Sequence, residues 1–102
     1  MNITFPDRPP YYDANRLALT FPATAGGMNV ECAITAEALE DHFGAASPRE
    51  ADLRAAFVAH RAAIESAAAR MIEATGSDAV TLHSGYFRMY GDSGEAPKDR
   101  AR

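Results

Sequence analysis

The sequence predicts an α+β fold: a small antiparallel sheet, made of a β-hairpin plus additional strands, with one short and one long helix packed on one face. Two observations predict this class. Strict alternation of apolar and polar residues occurs in two neighbouring segments, as is typical of half-buried strands. Apolar residues then recur at spacings of three and four in a long Ala-rich segment, as is typical of an amphipathic helix.

The hairpin is predicted from two alternating runs that flank a glycine pair. Their apolar faces consist of Leu17, Leu19 and Phe21 in the first run and of Met28, Val30, Cys32 and Ile34 in the second. Gly26-Gly27 readily adopts the positive φ of a tight reversal. Upstream, Ile3 to Phe5 predicts a short edge strand. The prolines at 6, 9 and 10 then predict an extended arm, because proline donates no hydrogen bond to a sheet.

Two helices are predicted after the hairpin. Thr35 is placed to cap a short helix that ends at Gly44. Ser47 and Pro48 are placed as the cap and first residue of a second helix, which runs to Gly76 and is roughly 40 Å long. The apolar stripe of this helix comprises Leu53, Phe57, His60, Ile64, Ala68 and Met71. A helix of this length and alanine content favours packing against another helix, including one from a second subunit.

A last strand is predicted from Val80 to Phe87, where alternation resumes after a Gly-Ser-Asp turn. Tyr86 lies in this strand, half-buried in the sheet or exposed in a Tyr-rich contact surface. Residues 91–102 are polar and rich in mixed charge, which predicts a disordered tail. Residues 1–90 are therefore interpreted as one domain.

Composition narrows the class of protein. The formal net charge is −4, from 14 acidic and 10 basic side chains, and the basic residues form no stripe. Nucleic-acid binding is therefore the least favoured class of function, because it depends on Lys and Arg that neutralise phosphates. The start of the chain lacks the pattern of a signal peptide, and no apolar run is long enough to span a bilayer. With a single cysteine, the simplest compartment is the cytoplasm.

Two stretches also carry a resemblance to a known family. They are Leu19-Thr20-Phe21-Pro22-Ala23 and the run from Val30 through the Asp-His-Phe-Gly segment to Ala45. With the long helix and the closing strand, the chain resembles a small bacterial domain-of-unknown-function family, number 1488, over roughly residues 3 to 87. The resemblance implies a compact α+β fold and brings no activity, substrate or catalytic residue. It also implies Asn rather than His at position 60.

Few residues are candidates for chemistry. Asp41 and His42 end the short helix, where the imidazole is either a pH-responsive group or base, or a cation that complements the helix dipole. His60 lies on the apolar stripe of the long helix, where it is either a pocket residue paired with Arg61 or a core or interface residue. Cys32 is predicted to be buried rather than nucleophilic. No His or Cys pair has the spacing of a metal site, so neither metal nor cofactor is expected.

Three functions remain open from the sequence. The first is a non-catalytic interaction or accessory module, either a homodimer or a protein with an unknown partner. The second is a small-ligand-binding protein or enzyme with a pocket formed by Asp41, His42, His60 and Arg61, which requires these side chains to converge. The third and least favoured is a nucleic-acid-binding protein. The sequence identifies no catalytic residue.

Overall fold

One sheet and a layer of helices on one of its faces make up residues 2–91, which are the residues that the computed structural model describes. The strands are β1 (Ile3–Thr4), β2 (Tyr11–Asp13), β3 (Ala18–Ala25), β4 (Met28–Thr35) and β5 (Ala79–Leu82). The helices are α1 (Ala36–His42), α2 (Glu50–Ala59), α3 (Arg61–Thr75) and α4 (Ser84–Tyr90). The predicted α+β class is confirmed. The predicted tail, residues 91–102, lies outside the described residues except for Gly91.

The predicted hairpin is confirmed and forms the centre of the sheet. Strands β3 and β4 pair antiparallel along their whole length, from Ala18↔Thr35 to Ala25↔Met28. Gly26 and Gly27 adopt φ values of 57° and 87°, which side-chain-bearing residues rarely adopt. Register therefore follows from the alternation and from the turn together.

The placement of Leu17 on the apolar face of the hairpin was wrong. Leu17 precedes β3, is 54% exposed and has a positive φ of 50°. Its carbonyl accepts a hydrogen bond from the amide of Ala36 at 2.8 Å, which ties the loop before β3 to the start of α1. This backbone bond holds the strained conformation that the side chain alone would not favour.

The proline-rich arm departs from the edge of the sheet beside Pro22 of β3, which has no N–H to donate to a neighbouring strand. Strand β1 pairs with the end of β3 at Thr24 and Ala25, and β2 pairs with its beginning from Ala18 to Thr20. The amide of Gly26 donates to Asn2 at 3.0 Å, so the backbone groups of even-numbered residues point to this edge. Pro22 therefore faces the same edge without an N–H, which is where the arm between β1 and β2 departs.

The last strand corrects two details of the predicted sheet. Strand β5 pairs with β4 in parallel, from Glu31↔Ala79 to Ile34↔Leu82, so the sheet is mixed rather than wholly antiparallel. Between these strands the chain passes through three helices, a connection long enough to return it to the end at which β4 began. The strand also ends at Leu82, and the segment that was predicted to continue it to Phe87 forms α4 instead.

The predicted long helix is interrupted at His60. There φ is −123° and ψ is 25°, and the amide bonds to the carbonyls of Ala56 and Phe57 rather than continuing a regular helix. A straight helix of roughly 40 Å would overrun a sheet whose longest strands have eight residues, about 27 Å. The break lets both halves bury their apolar sides against the sheet.

The two predicted helix caps have different outcomes. The hydroxyl of Thr35 accepts a hydrogen bond from the amide of Ala38 at 3.1 Å, so the cap of α1 is confirmed. The second helix begins at Glu50, after Arg49, so Ser47 is not its cap. The Ser47 hydroxyl instead accepts from the amide of Arg49 at 3.1 Å and donates to Asp52 at 2.6 Å, which braces the loop before α2.

The two faces of the sheet differ in what covers them. One face and the helices enclose a single core, whose largest fully buried side chains include Phe57, Phe87, Leu19, Ile34, Leu39, Leu53 and Ile64. On the opposite face, here called the outer face, lie Thr4, Tyr11, Thr20, Pro22, Thr24, Asn29, Glu31 and Thr81. None of the described helices is long and apolar enough to cross a membrane.

Candidate functional site

Asp41 and His42 meet Ser84 where the end of α1 packs against the start of α4. The Ser84 hydroxyl donates to Oδ2 of Asp41 at 2.7 Å and accepts from the guanidinium of Arg88 at 3.2 Å. Nε2 of His42 lies 3.2 Å from the same hydroxyl and 3.1 Å from the Ser84 carbonyl. The imidazole also packs against Phe87, with the ring centroids 5.5 Å apart.

The proton positions in this cluster do not fit a nucleophilic serine. The one hydroxyl proton of Ser84 goes to the Asp41 carboxylate, and a carbonyl oxygen only accepts. Nε2 of His42 must therefore carry a proton and donate it towards Ser84, so it does not act as the base for that hydroxyl. Ser84 is also only 3% exposed. The cluster links two helices and offers no reactive oxygen to a substrate.

His60 lies outside this hydrogen-bonded cluster, at the junction of α2 and α3. It is exposed, and its ring packs against Phe43 with a centroid distance of 5.3 Å. Its carbonyl accepts the amide of Ile64 at 3.0 Å at the start of α3. The interpretation of His60 as part of a buried apolar stripe was therefore wrong, because the helix break turns it outward. Within residues 2–91, His60 forms no bond to Asp41 or His42.

Arg61 anchors the N-terminal arm instead of lining a shared pocket with the histidines. Its guanidinium donates to the carbonyls of Arg8 at 2.8 Å and Pro6 at 3.1 Å. It also pairs with Glu65 at 2.8 Å and lies over the ring of Phe57 at 5.1 Å. Each of the three guanidinium nitrogens therefore has a partner: Nε bonds to Glu65, and the two terminal nitrogens bond to the arm. The structure therefore does not bring Arg61 together with Asp41 or His42.

Arg54 of α2 also anchors the N-terminal arm, a role that the sequence did not predict. It pairs with Glu50 at 2.8 Å and donates to the carbonyl of Pro10. Arginines seven residues apart lie on one face of a helical segment, which is the signal that could have indicated a shared role. Together with Arg61 it fastens the proline-rich arm across α2 and α3.

Tyr86 lies on α4 and not on a strand. Its ring contacts Phe87 and Tyr90, at centroid distances of 5.3 and 4.9 Å, and burial raises the pKa of its hydroxyl. With Met71 and Ala74 of α3, Tyr86 and Tyr90 line a groove of about 490 Å³ between the two helices. A role for Tyr86 in binding stays a prediction.

Cys32 is buried in the sheet with no exposed surface. Burial and the nearby carboxylates of Glu31 and Glu65 raise the pKa of its thiol to about 12. A thiol that stays protonated is a poor nucleophile and a poor metal ligand. Across residues 2–91, no group of three or more His, Cys, Asp and Glu side chains could hold a metal ion.

The outer face of the sheet carries a feature that sequence reasoning did not identify. A groove of about 470 Å³ crosses it, lined by Arg8, Pro9, Tyr11, Thr20, Pro22, Glu31 and Asp78 among others. Tyr11 is 70% exposed, more than any other large aromatic or aliphatic side chain of the described chain. These residues are far apart in sequence, and only the strand register places them on one face.

Two known proteins resemble this chain in sequence, and each is named as an uncharacterised protein. The chain is 36% identical over 76 residues to the "Uncharacterized protein YrdB" of Escherichia coli (strain K12), which covers 74% of this chain and 86% of that protein. The Shigella flexneri protein of the same name gives the same identity and coverage. No solved structure matches the chain. The family model "Protein of unknown function (DUF1488)" matches residues 3–83, and the chain belongs to this family.

Proposed function

We propose that this chain is a non-catalytic interaction module that binds a protein partner through the outer face of its sheet. The observation that carries the proposal is the outer face, which the described helices leave open, with the groove and the 70% exposed Tyr11. Exposed tyrosine contributes a large contact area and a polar handle at low entropic cost, and it is enriched at protein interfaces.

The contacts of Asp41, His42 and Arg61 support the same function. Asp41 and His42 bond to a buried serine, and Arg61 holds the arm. The alternative function, a ligand site or enzyme built on these residues and His60, requires them to converge around an open pocket. Within residues 2–91, no hydrogen bond or ion pair joins His60 or Arg61 to Asp41 or His42, which favours the interaction module.

The proposal includes two further expectations. We treat residues 1–90 as one folding unit, because the buried residues of the described chain form one connected core. We assign the module to the cytoplasm, because a single cysteine requires no oxidative folding. Nucleic-acid binding is the least favoured function, because the net charge of −4 opposes contact with phosphates.

The test compares two exposed residues on opposite layers. Tyr11 on the outer face is 70% exposed, and Val58 on α2 is 69% exposed, so Tyr11→Arg and Val58→Arg are a matched pair. Each tagged protein is purified gently from its source cells and examined by native mass spectrometry. The wild type and Val58→Arg are expected to carry a partner protein that Tyr11→Arg has lost.

Two results would contradict the proposed function. One is a monomer in every sample. The other is loss of the partner in Val58→Arg together with its retention in Tyr11→Arg. Circular dichroism of both variants controls for unfolding, which is not expected because both side chains are largely exposed.

A further inference from the structure

Strand β5 lies at one edge of the sheet, and half of its backbone groups point away from its neighbour. The amide of Glu31 in β4 bonds to the carbonyl of Asp78 at 2.9 Å, and Glu31 lies opposite Ala79 in the parallel register. In a parallel pair, this bond fixes which residues of β5 direct their backbone groups to β4. Val80 therefore directs its amide and carbonyl to β4. Ala79 and Thr81, on either side of it, direct theirs away from the sheet.

The free side of this strand, here called the β5 edge, is open to pairing. Within the described chain, no residue bonds to the outward backbone groups of Ala79 and Thr81. Sheets usually protect an edge with charged side chains, prolines or very short strands. Strand β5 contains no charged residue and no proline. The opposite edge is protected, since β1 and β2 have only two and three residues and are separated by prolines 6, 9 and 10.

We propose that a second copy of this chain pairs with the β5 edge, so that the two β5 strands run antiparallel about a two-fold axis at Val80. The inference goes beyond the proposed function, because the β5 edge is a different surface from the outer face. The axis places Ala79 of each copy opposite Thr81 of the other. Residues opposite each other in this way exchange two backbone hydrogen bonds. Four bonds therefore form, and every outward group of Ala79 and Thr81 has a partner.

The end of the strand places the axis at Val80 rather than one residue later. An axis at Thr81 would pair Ala79 with His83. The carbonyl of His83 already accepts the amide of Tyr86 at 3.0 Å, at the start of α4, so this pairing would be incomplete. The axis at Val80 uses only residues of β5, and it sets two β-branched side chains next to each other on the core side of the sheet.

The strength of the pairing favours a folded copy over an extended peptide. Four backbone hydrogen bonds replace bonds to water, so their net contribution is small compared with the cost of immobilising a partner. The occupant must therefore bury further surface beside the strand. An antiparallel pair of strands has its two-fold axis perpendicular to the sheet, so the helix layers of both copies lie on the same side. Because α3 packs against β5, α3 of the second copy comes to lie beside α3 of the first.

Helix α3 supplies the additional area. It has 15 residues, about 22 Å, and a strand layer with a helix layer is roughly 20 Å deep. One copy therefore contributes on the order of 450 Å², and the pair buries about 900 Å² in total, slightly below the usual range of stable interfaces. The exposed residues of α3 include the small Ala62, Ser66 and Ala74, which allow a second helix to approach closely. The area predicts a weak, reversible dimer.

The first measurement is hydrogen exchange of the backbone amides in the full-length chain, at a low and a high protein concentration. The amides of Val80 and Leu82 bond to β4 and should exchange slowly at both concentrations. The amides of Ala79 and Thr81 should exchange quickly at the low concentration. At the high concentration they should exchange about tenfold more slowly, because only the dimer provides them with acceptors.

The second measurement is sedimentation velocity of the wild type and of two variants at one position. Proline is tolerated where a strand N–H points away from its sheet, so Thr81→Pro should fold. It removes two of the four bonds across the axis and should weaken the dimer about tenfold or more. Thr81→Val keeps the amide and the β-branched shape and should associate as the wild type does. Ala79→Lys, which alters an exposed side chain, should also weaken the dimer and is the alternative if the proline variant is unfolded by circular dichroism.

Three results would overturn the proposal. The first is a wild type that stays monomeric at its highest soluble concentration. The second is a dimer in which the amides of Ala79 and Thr81 still exchange quickly, because its interface would lie elsewhere. The third is equal association of Thr81→Pro and Thr81→Val, with Ala79→Lys in place of the proline variant if that variant is unfolded. Tyr11→Arg alters β2, at the opposite side of the sheet, and should leave this dimer intact, so the two proposals fail or stand separately.

Discussion

The stability of this protein should fall at alkaline pH because Cys32 cannot ionise in the fold. Its thiol has no exposed surface and a pKa of about 12, against an ordinary value of 9.0 that applies to the unfolded chain. The folded pKa is the higher one, so this contribution to stability is complete below pH 9 and is lost progressively as pH rises towards 12.

The magnitude over an accessible pH range follows from these two values. At pH 10 the thiol of the unfolded chain is about 90% ionised, while the folded thiol remains protonated. Ionisation stabilises the unfolded state by RT ln(1 + 10), about 1.4 kcal/mol, and almost none of this is present at pH 8. For a chain of this size, 1 kcal/mol corresponds to a melting temperature shift of roughly 4–8 °C.

The assay is urea unfolding at pH 8 and pH 10, with Cys32→Ala as the matched control. The alanine variant is less stable at both pH values because a small cavity remains, but it lacks the titrating thiol. Tyr86, whose pKa is also raised by burial, is present in both proteins and cancels. The wild type should therefore lose about 1.3 kcal/mol more than Cys32→Ala between the two pH values.

Equal losses in the two proteins would refute the reasoning, because they would show that the thiol ionises as readily in the fold as in the unfolded chain. A second readout is the rate at which a thiol reagent labels the protein. Cys32 is the single cysteine of the chain, so labelling of the native protein should follow opening of the sheet and accelerate in urea.

Three further substitutions test the contacts that hold the fold together. Thr35→Ala removes the cap of α1 and should lower the free energy of unfolding by about 1 kcal/mol in urea titrations; an unchanged midpoint would show that the cap contributes nothing. Ser84→Ala removes the hydroxyl that links Asp41 and His42 of α1 to Arg88 of α4 and should lower it by about 0.5–1.5 kcal/mol, whereas a neutral effect would argue against the hydrogen-bonded link between these helices. Arg61→Met frees the arm and should increase amide exchange at Arg8 and lower stability by about 1–2 kcal/mol, while Arg49→Met, an exposed control, should change neither; equal behaviour of the two variants would contradict the anchoring role.

Local pattern was sufficient for the elements whose stability is local. Alternation over β3 and β4, the glycine pair between them and the Thr35 cap each depend on residues within a few positions, and all three predictions are confirmed. The predicted position of Gly76 at the end of α3 is also confirmed. Its φ of 65° is left-handed, which glycine adopts with little steric cost.

The candidate site was harder to predict than the fold. Asp41 and His42 adjoin each other at a helix end, which makes them candidates from sequence alone, but their partner Ser84 lies more than forty residues later and carries no signal of its own. His60 and Arg61 are neighbours in sequence, yet the break between α2 and α3 turns one outward and directs the other to the arm. The outer-face groove depends on strand register, which no single segment encodes.

The sequence by itself determined the class of this protein: an α+β chain with a two-stranded centre, apolar helices to cover it and no close-spaced set of reactive residues. The tertiary structure decided the rest, namely that β5 runs parallel to β4, that the long helix breaks at His60 and that the described helices leave one sheet face open. The reason is physical. Side-chain periodicity reports which face of an element is buried, but the direction of pairing, the length of helix that a sheet can bury and the surface left open depend on how all the elements fit around one core.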